Sequence, residues 1–91
     1  MAVYMDDAGV ERRGRRWNHL TADTPQELHA FAASIGLKRC WYHSGARHPH
    51  YDVTDVQRDQ AIVSGAIPVG RREIVAIARR LRDRRAGRST A

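Results

Sequence analysis

The chain is expected to fold as a small α/β domain, with a three-stranded, mainly parallel sheet in β-α-β-α-β-α order and helices covering it. Three observations predict this class. Helical patterns with clear starts recur at 24–36, at 54–65 and from residue 70 onward. A short apolar run precedes each of them, in the order "AVYM", "LKRCWYH" and "AIPV". Strands that alternate with helices favour βαβ units and a parallel sheet. At 91 residues, 42% hydrophobic and 29% charged, the chain makes one domain with a modest core.

Each element has its own justification. "AVYMDD" (2–7) reads as a buried strand ending in two carboxylates, Asp6 and Asp7. "AGVERRGRRWNHLTAD" (8–23) is polar, holds two glycines and is long enough for a functional loop. The first helix opens on Thr24 as N-cap, Pro25 at the first helical position and Glu27 completing a capping box. Leu28, Phe31, Ala32 and Ile35 then share one face, and Gly36 supplies the stop. A second strand is expected over 37–43, with Cys40 as a small core residue. Residues 44–53 carry glycine and proline and read as a loop. Asp52 and Thr54 begin the second helix, with Gln57 completing its box and Gly65 ending it. "AIPV" (66–69) is a short third strand whose proline suits an edge or a terminus. The last helix buries Ile74, Ile77, Ala78 and Leu81 and turns its arginines outward. The single domain is expected over 1–85, with 86–91 as a flexible tail.

Composition excludes several classes. No apolar run reaches membrane-spanning length, and "MAVYMDDAGV" lacks the charged and apolar regions of a signal peptide. One cysteine cannot form an internal disulfide, so a cytosolic protein is expected. The net charge of +6 is unevenly spread: 11–16 carries +3 and 71–88 carries +6, leaving −3 elsewhere. All five histidines lie in that acidic remainder. Arginine outnumbers lysine fifteen to one, a bias that GC-rich coding would produce by itself, so basicity alone does not establish nucleic-acid binding.

The chemistry is expected at one edge of the sheet. Right-handed crossovers would gather the strands' C-terminal ends there, and open α/β sheets bind ligands outside that edge. It would collect Asp6 and Asp7, His43 with its loop, and Gly70-Arg71-Arg72. In "RHPHYDVTD" (47–55), His48, His50 and Asp52 alternate and would point one way from an extended backbone. With Asp52 assigned to the helix start, the two histidines are paired instead with the carboxylates of strand one.

The candidate catalytic residues are therefore Asp6, Asp7, His19, His48 and His50. A divalent metal on His48 and His50, with Asp7 or alternatively Asp6, His19 or Asp52, would have the nitrogen and oxygen donors that suit a borderline ion, and would activate water at a phosphoester. Without a metal, His19 or His48 beside Asp6 or Asp7 would serve as general base. Arg15, Arg16, Arg71 and Arg72 are the candidate anion-binding residues, the last two at a helix N-terminus. The glycines and lysine of a phosphate-loop or dinucleotide fingerprint are absent. His29 is expected to hydrogen-bond the 17–23 segment, and Trp17 and Trp41 to anchor packing.

The stretches "VYMDDAG", "RRWNHLTAD", "ELHAFAASIGL", "HPHYDVT" and "SGAIPVGRRE" resemble the small bacterial and phage proteins of domain-of-unknown-function family 4031, over roughly residues 2–80. The resemblance implies an intact fold of bacterial or phage origin. Its motif positions are Asp6, Asp7, Trp17, His19, Asp23, His29, His48, His50, Tyr51 and Asp52. No activity comes with it. Two functions follow from the residues themselves. One is a hydrolase of the nuclease or phosphodiesterase kind, acting on a nucleotide or nucleic acid. The other is a non-enzymatic adaptor, monomeric or a homodimer, that binds nucleic acid or protein through arginine-rich surfaces. No membrane role is expected, because the apolar stripe of the last helix is needed for the core.

Overall fold

The polar segment expected to be a connection is the centre of the sheet. A computed structural model describes residues 2–43 and 49–90, with the side chains of 84–90 left undescribed. Its strands are β1 (Val3–Met5), β2 (Val10–Arg12), β3 (Arg15–Ala22), β4 (Tyr42–His43), β5 (His50–Thr54) and β6 (Ile67–Pro68). Its helices are α1 (Pro25–Ser34), α2 (Asp55–Val63) and α3 (Arg71–Thr90), and a 3-10 turn covers Arg39–Trp41.

The three-stranded, mainly parallel β-α-β-α-β-α sheet is corrected to a mixed six-stranded one. Its order is β4-β5-β3-β1-β6, with β2 also on β3. Among these pairs β1–β6 is parallel, and the other four are antiparallel. The cause lies in "RRGRR". Arg12 faces Arg15, leaving Arg13 and Gly14 as a two-residue turn, with φ of 54° and 75°. Positive φ at both turn positions is what a type I′ hairpin requires, and glycine meets it without strain. The chain therefore doubles back into β3 before the first helix, and no crossover joins β1 directly to a parallel neighbour.

After β2 and β3, a third strand stands where a loop is expected, β5. Its burial alternates, with Tyr51 and Val53 inside and His50, Asp52 and Thr54 half-exposed. Alternation over five residues is the strand period. Asp52 thus belongs to a strand and does not cap α2. Cys40 is exposed in the 3-10 turn, and Trp41 is 43% exposed, so neither is a core residue. Trp17 is also no core anchor; it lies half-buried, with Nε1 donating to the Arg12 carbonyl at 3.1 Å.

The helices form where the cap residues dictate. Thr24 Oγ1 accepts from Glu27 N at 3.2 Å. At α2 the capping box is complete, with Gln57 N donating to Thr54 Oγ1 and Thr54 N donating to Gln57 Oε1. Gly36, at φ +83°, closes α1: its N–H reaches the Ala33 carbonyl while Leu37 N–H reaches that of Ala32. That pair of bonds is the Schellman stop, and it drives Leu37 into the core. The third helix continues to Thr90.

Two faces result. Met5, Leu20, Ala22, Tyr51 and Val53 alternate onto one face and form a single cluster with Leu28 and Ala32 of α1 and Ala61 of α2. His29 of α1, expected to hydrogen-bond the 17–23 segment, has the Tyr51 hydroxyl of β5 at 2.8 Å. Burial raises the Tyr51 phenol above its ordinary value, keeping it protonated. The opposite face presents His19, Thr21, His50 and Asp52, and α3 covers part of it with Ile74 and Ala78. Among the described residues, no helix is long and apolar enough to cross a membrane.

Candidate functional site

The sheet register assembles the polar face. On β3, His19 stands directly across from Asp52 of β5, and His50 stands across from His43 of β4. Side chains at i and i+2 share a face, so His50 and Asp52 lie on the same side as both partners. Four polar residues from three strands therefore form one contiguous group.

Asp6 anchors the group from beneath. It follows β1, and its main chain is fixed on both sides: N–H to the His19 carbonyl at 3.1 Å, carbonyl to Arg58 Nε at 2.9 Å. Its side chain is 1% exposed. Oδ1 accepts from His19 N at 2.7 Å and Ala8 N at 3.3 Å, and Oδ2 lies 2.8 Å from His19 Nδ1. Burial pushes the carboxyl upward, but the His19 ring and backbone donors, with Ala8 N–H, outweigh it and hold the group below its ordinary value. Asp6 is therefore an ionised carboxylate, which can only accept. His19 must carry its proton on Nδ1, and Nε2 is left as the nitrogen turned away from Asp6.

Asp52 is the second fixed carboxylate. Oδ1 meets His50 Nε2 at 3.1 Å, while Oδ2 meets His43 Nε2 and Arg12 Nη2, each at 3.1 Å. The His50 hydrogen bond is the largest cause lowering its pKa to about 2, with Arg12 and the charge of His43 adding to it. The His19 and His50 rings meet edge to face at 4.9 Å between centroids, and His43 stacks on His50 at 5.0 Å.

A depressed carboxyl stabilises the fold above its unfolded value and loses that contribution as pH falls through the folded one. For Asp52 the window runs from 3.8 down to about 2. The contribution is about 2 kcal/mol at neutral pH. Urea unfolding across that window should therefore show a steeper loss of stability in the native protein than in Asp52→Asn. Parallel acid profiles would contradict the pairing.

A cleft of about 120 Å³ opens at one side of this group, lined by Asp6, His19 and His50 from the sheet and by Arg71, Ile74, Val75 and Ala78 from α3. Its volume suits a phosphate-sized group or a few waters. Arg71 arrives because Val69 N–H bonds the Met5 carbonyl at 2.9 Å, which brings the start of α3 beside the end of β1.

Of the sequence-predicted residues, the structure unites Asp6, His19, His50 and Arg71 in one cleft. Asp7 is exposed and does not line it. His48 lies outside the described residues. The four arginines do not form one set. Arg72 lines a shallow outer groove on α3 with Arg71, Val75, Ala76 and Arg79. Arg15 and Arg16 sit exposed on the β2–β3 hairpin beside the start of α2, and Arg16 pairs with Asp55 at 3.5 Å. Three contributors lie outside the candidate catalytic set: Asp52, which the sequence offers only as a helix start or an alternative metal ligand, His43, which it places at the expected edge without a role, and Arg12, which it does not single out. The H-x-D alternation in "HYDVT" was the signal for Asp52. Nothing in the sequence pattern pointed to Arg12 or His43 as its partners.

No curated protein and no solved structure matches the chain. The model of the family described as "Protein of unknown function (DUF4031)" matches residues 3–81, nearly the whole folded region and every residue of the cleft, and the chain belongs to that family.

Proposed function

We propose that the chain is a hydrolase of a phosphate-containing substrate, with its reaction centre in the cleft lined by Asp6, His19, His50 and Arg71. One observation carries this reading: a fully buried, ionised carboxylate spends three hydrogen bonds on fixing His19 and its neighbourhood, with Arg71 on the facing wall. Burying a charge is costly, and structure alone would be served as well by an apolar pair. Fixing one imidazole nitrogen towards a cleft is what proton chemistry near neutral pH needs.

In the reaction, a water oxygen bonds to phosphorus as the bond to the leaving oxygen breaks, and the electron pair departs on that oxygen. The proton released by the water passes through the imidazole cluster and returns to the leaving oxygen, so the net change is addition of one water. The guanidinium of Arg71 holds the non-bridging oxygens in bidentate fashion. Asp6 keeps His19 in one orientation throughout.

Native protein should turn over a small phosphodiester such as bis(4-nitrophenyl) phosphate. Arg71→Ala, which removes a charged anion contact and no buried group, should raise KM by roughly tenfold or more. Absence of turnover across mono- and diester probes would sink this reading. The adaptor reading keeps one supporting observation, the exposed arginines of the α3 groove and the β2–β3 hairpin. It expects oligonucleotide binding that falls steeply with salt and is unaffected in His19→Ala.

A further inference from the structure

At the cleft lies a ligand set other than the His48–His50–Asp7 one, drawn from donors that the sequence offers as alternatives. His19, His50 and Asp52 each offer one donor atom, and these atoms all lie within 4.8 Å of one another. Two imidazoles and one carboxylate are the donors that borderline first-row divalent ions take, with positions left open for water and substrate. The His50 Nε2–Asp52 Oδ1 separation of 3.1 Å is close to the edge of a tetrahedral site, about 3.3 Å for bonds near 2.0 Å. A cation there takes the place of the proton the two now share. Behind the set, Asp6 accepts from His19 Nδ1 at 2.8 Å. That contact is the outer carboxylate–histidine arrangement that fixes a metal-binding imidazole with its other nitrogen towards the ion.

We propose that this donor group, at the side of the cleft, is a divalent-metal site of the zinc or cobalt class, with His19, His50 and Asp52 as ligands and Asp6 as the residue that positions His19. Asp7 is not among these donors and is exposed. Metal binding stands on this geometry, while its catalytic use rests on the hydrolytic reading above. With the ion bound, His19 and His50 would serve as ligands and would not relay the proton, and the ion would supply the activation of water in their place, by lowering the pKa of the water it binds. The His-rich face accounts for the preference over calcium or magnesium, which favour all-oxygen sites.

Cobalt(II) titration, followed by its visible absorption bands, tests the site without any substrate. One ion per chain should bind and be displaced by zinc but not by magnesium. Binding should be lost in His19→Ala and in His50→Ala, weakened roughly 10–100-fold in Asp6→Asn, and unchanged in Asp7→Asn. If His19→Ala does not fold by circular dichroism, His19→Gln serves in its place. Failure to bind stoichiometric cobalt, or binding that survives both histidine substitutions, overturns the proposal. The two claims separate cleanly. Stoichiometric cobalt with no phosphoester turnover leaves the metal site standing and removes the hydrolase. Turnover that a strong chelator leaves unchanged removes the catalytic use of the metal and keeps the hydrolase, while the cobalt titration alone decides the site.

Discussion

Replacing Asp6 by alanine is expected to destabilise the fold by about 3–5 kcal/mol, the range for breaking a buried, hydrogen-bonded charge pair. The side chain is 1% exposed and accepts three hydrogen bonds. Its removal strands the His19 and Ala8 amide donors and opens a hole under the imidazole. A small domain has roughly 5–15 kcal/mol in all, and each kcal/mol moves the midpoint by roughly 4–8 °C. The melting temperature should therefore fall far enough to read in a single thermal scan. Asp6→Asn should cost less, because its carbonyl still serves a backbone donor while its amide meets Nδ1. A change in melting temperature of less than a few degrees for Asp6→Ala would mean that these bonds are not made.

The second large effect is on activity. His19→Ala should lower phosphoester turnover by roughly a hundredfold or more, the usual contribution of a positioned acid or base, while leaving a folded protein. Two facts separate the effects on catalysis and on stability. The His19 side chain is 34% exposed, so little apolar packing is lost. Asp6 also keeps two backbone donors, His19 N and Ala8 N, which are unaffected by truncation of the ring. The expected signature is a fall in kcat with a melting temperature close to that of the native protein. A loss of activity matched by unfolding would assign His19 a structural role.

The helices were legible in the sequence because their determinants are local. Thr24, Thr54, Gly36 and Gly65 do their work within a few residues of where they sit, and the structure uses each as expected. The sheet was not legible to the same degree. In β3, Trp17, Asn18, His19 and Thr21 occupy positions where a strand usually shows aliphatic residues. Their polarity is supported by non-local partners: Asn18 donates to Asp55 Oδ1 at 3.0 Å and Thr21 to the Pro49 carbonyl at 3.1 Å. Without those partners in view, a half-polar strand reads as a loop.

The same reasoning applies to the site. Asp6, His19, His50 and Arg71 were candidates by residue type, but the edge of a parallel sheet is not what gathers His19, His50 and Asp52. Antiparallel register does so, by setting His19 across from Asp52. A helix start was the competing reading for Asp52, since acidic residues are common there. The strand period in "HYDVT" wins because Tyr51 and Val53 have a core face to enter.

The hydrogen bond between Asp6 and the His19 ring underlies the stability, the orientation of the cleft and the metal proposal together. Long-range proton–nitrogen NMR correlation of the histidine rings reads it directly, because it distinguishes a protonated from an unprotonated ring nitrogen. Above the range in which the ring itself is charged, His19 should carry its proton on Nδ1 with Nε2 bare. In Asp6→Asn, whose amide can donate to Nδ1, the proton should move to Nε2. A native His19 protonated on Nε2, or a tautomer indifferent to that substitution, would contradict the account.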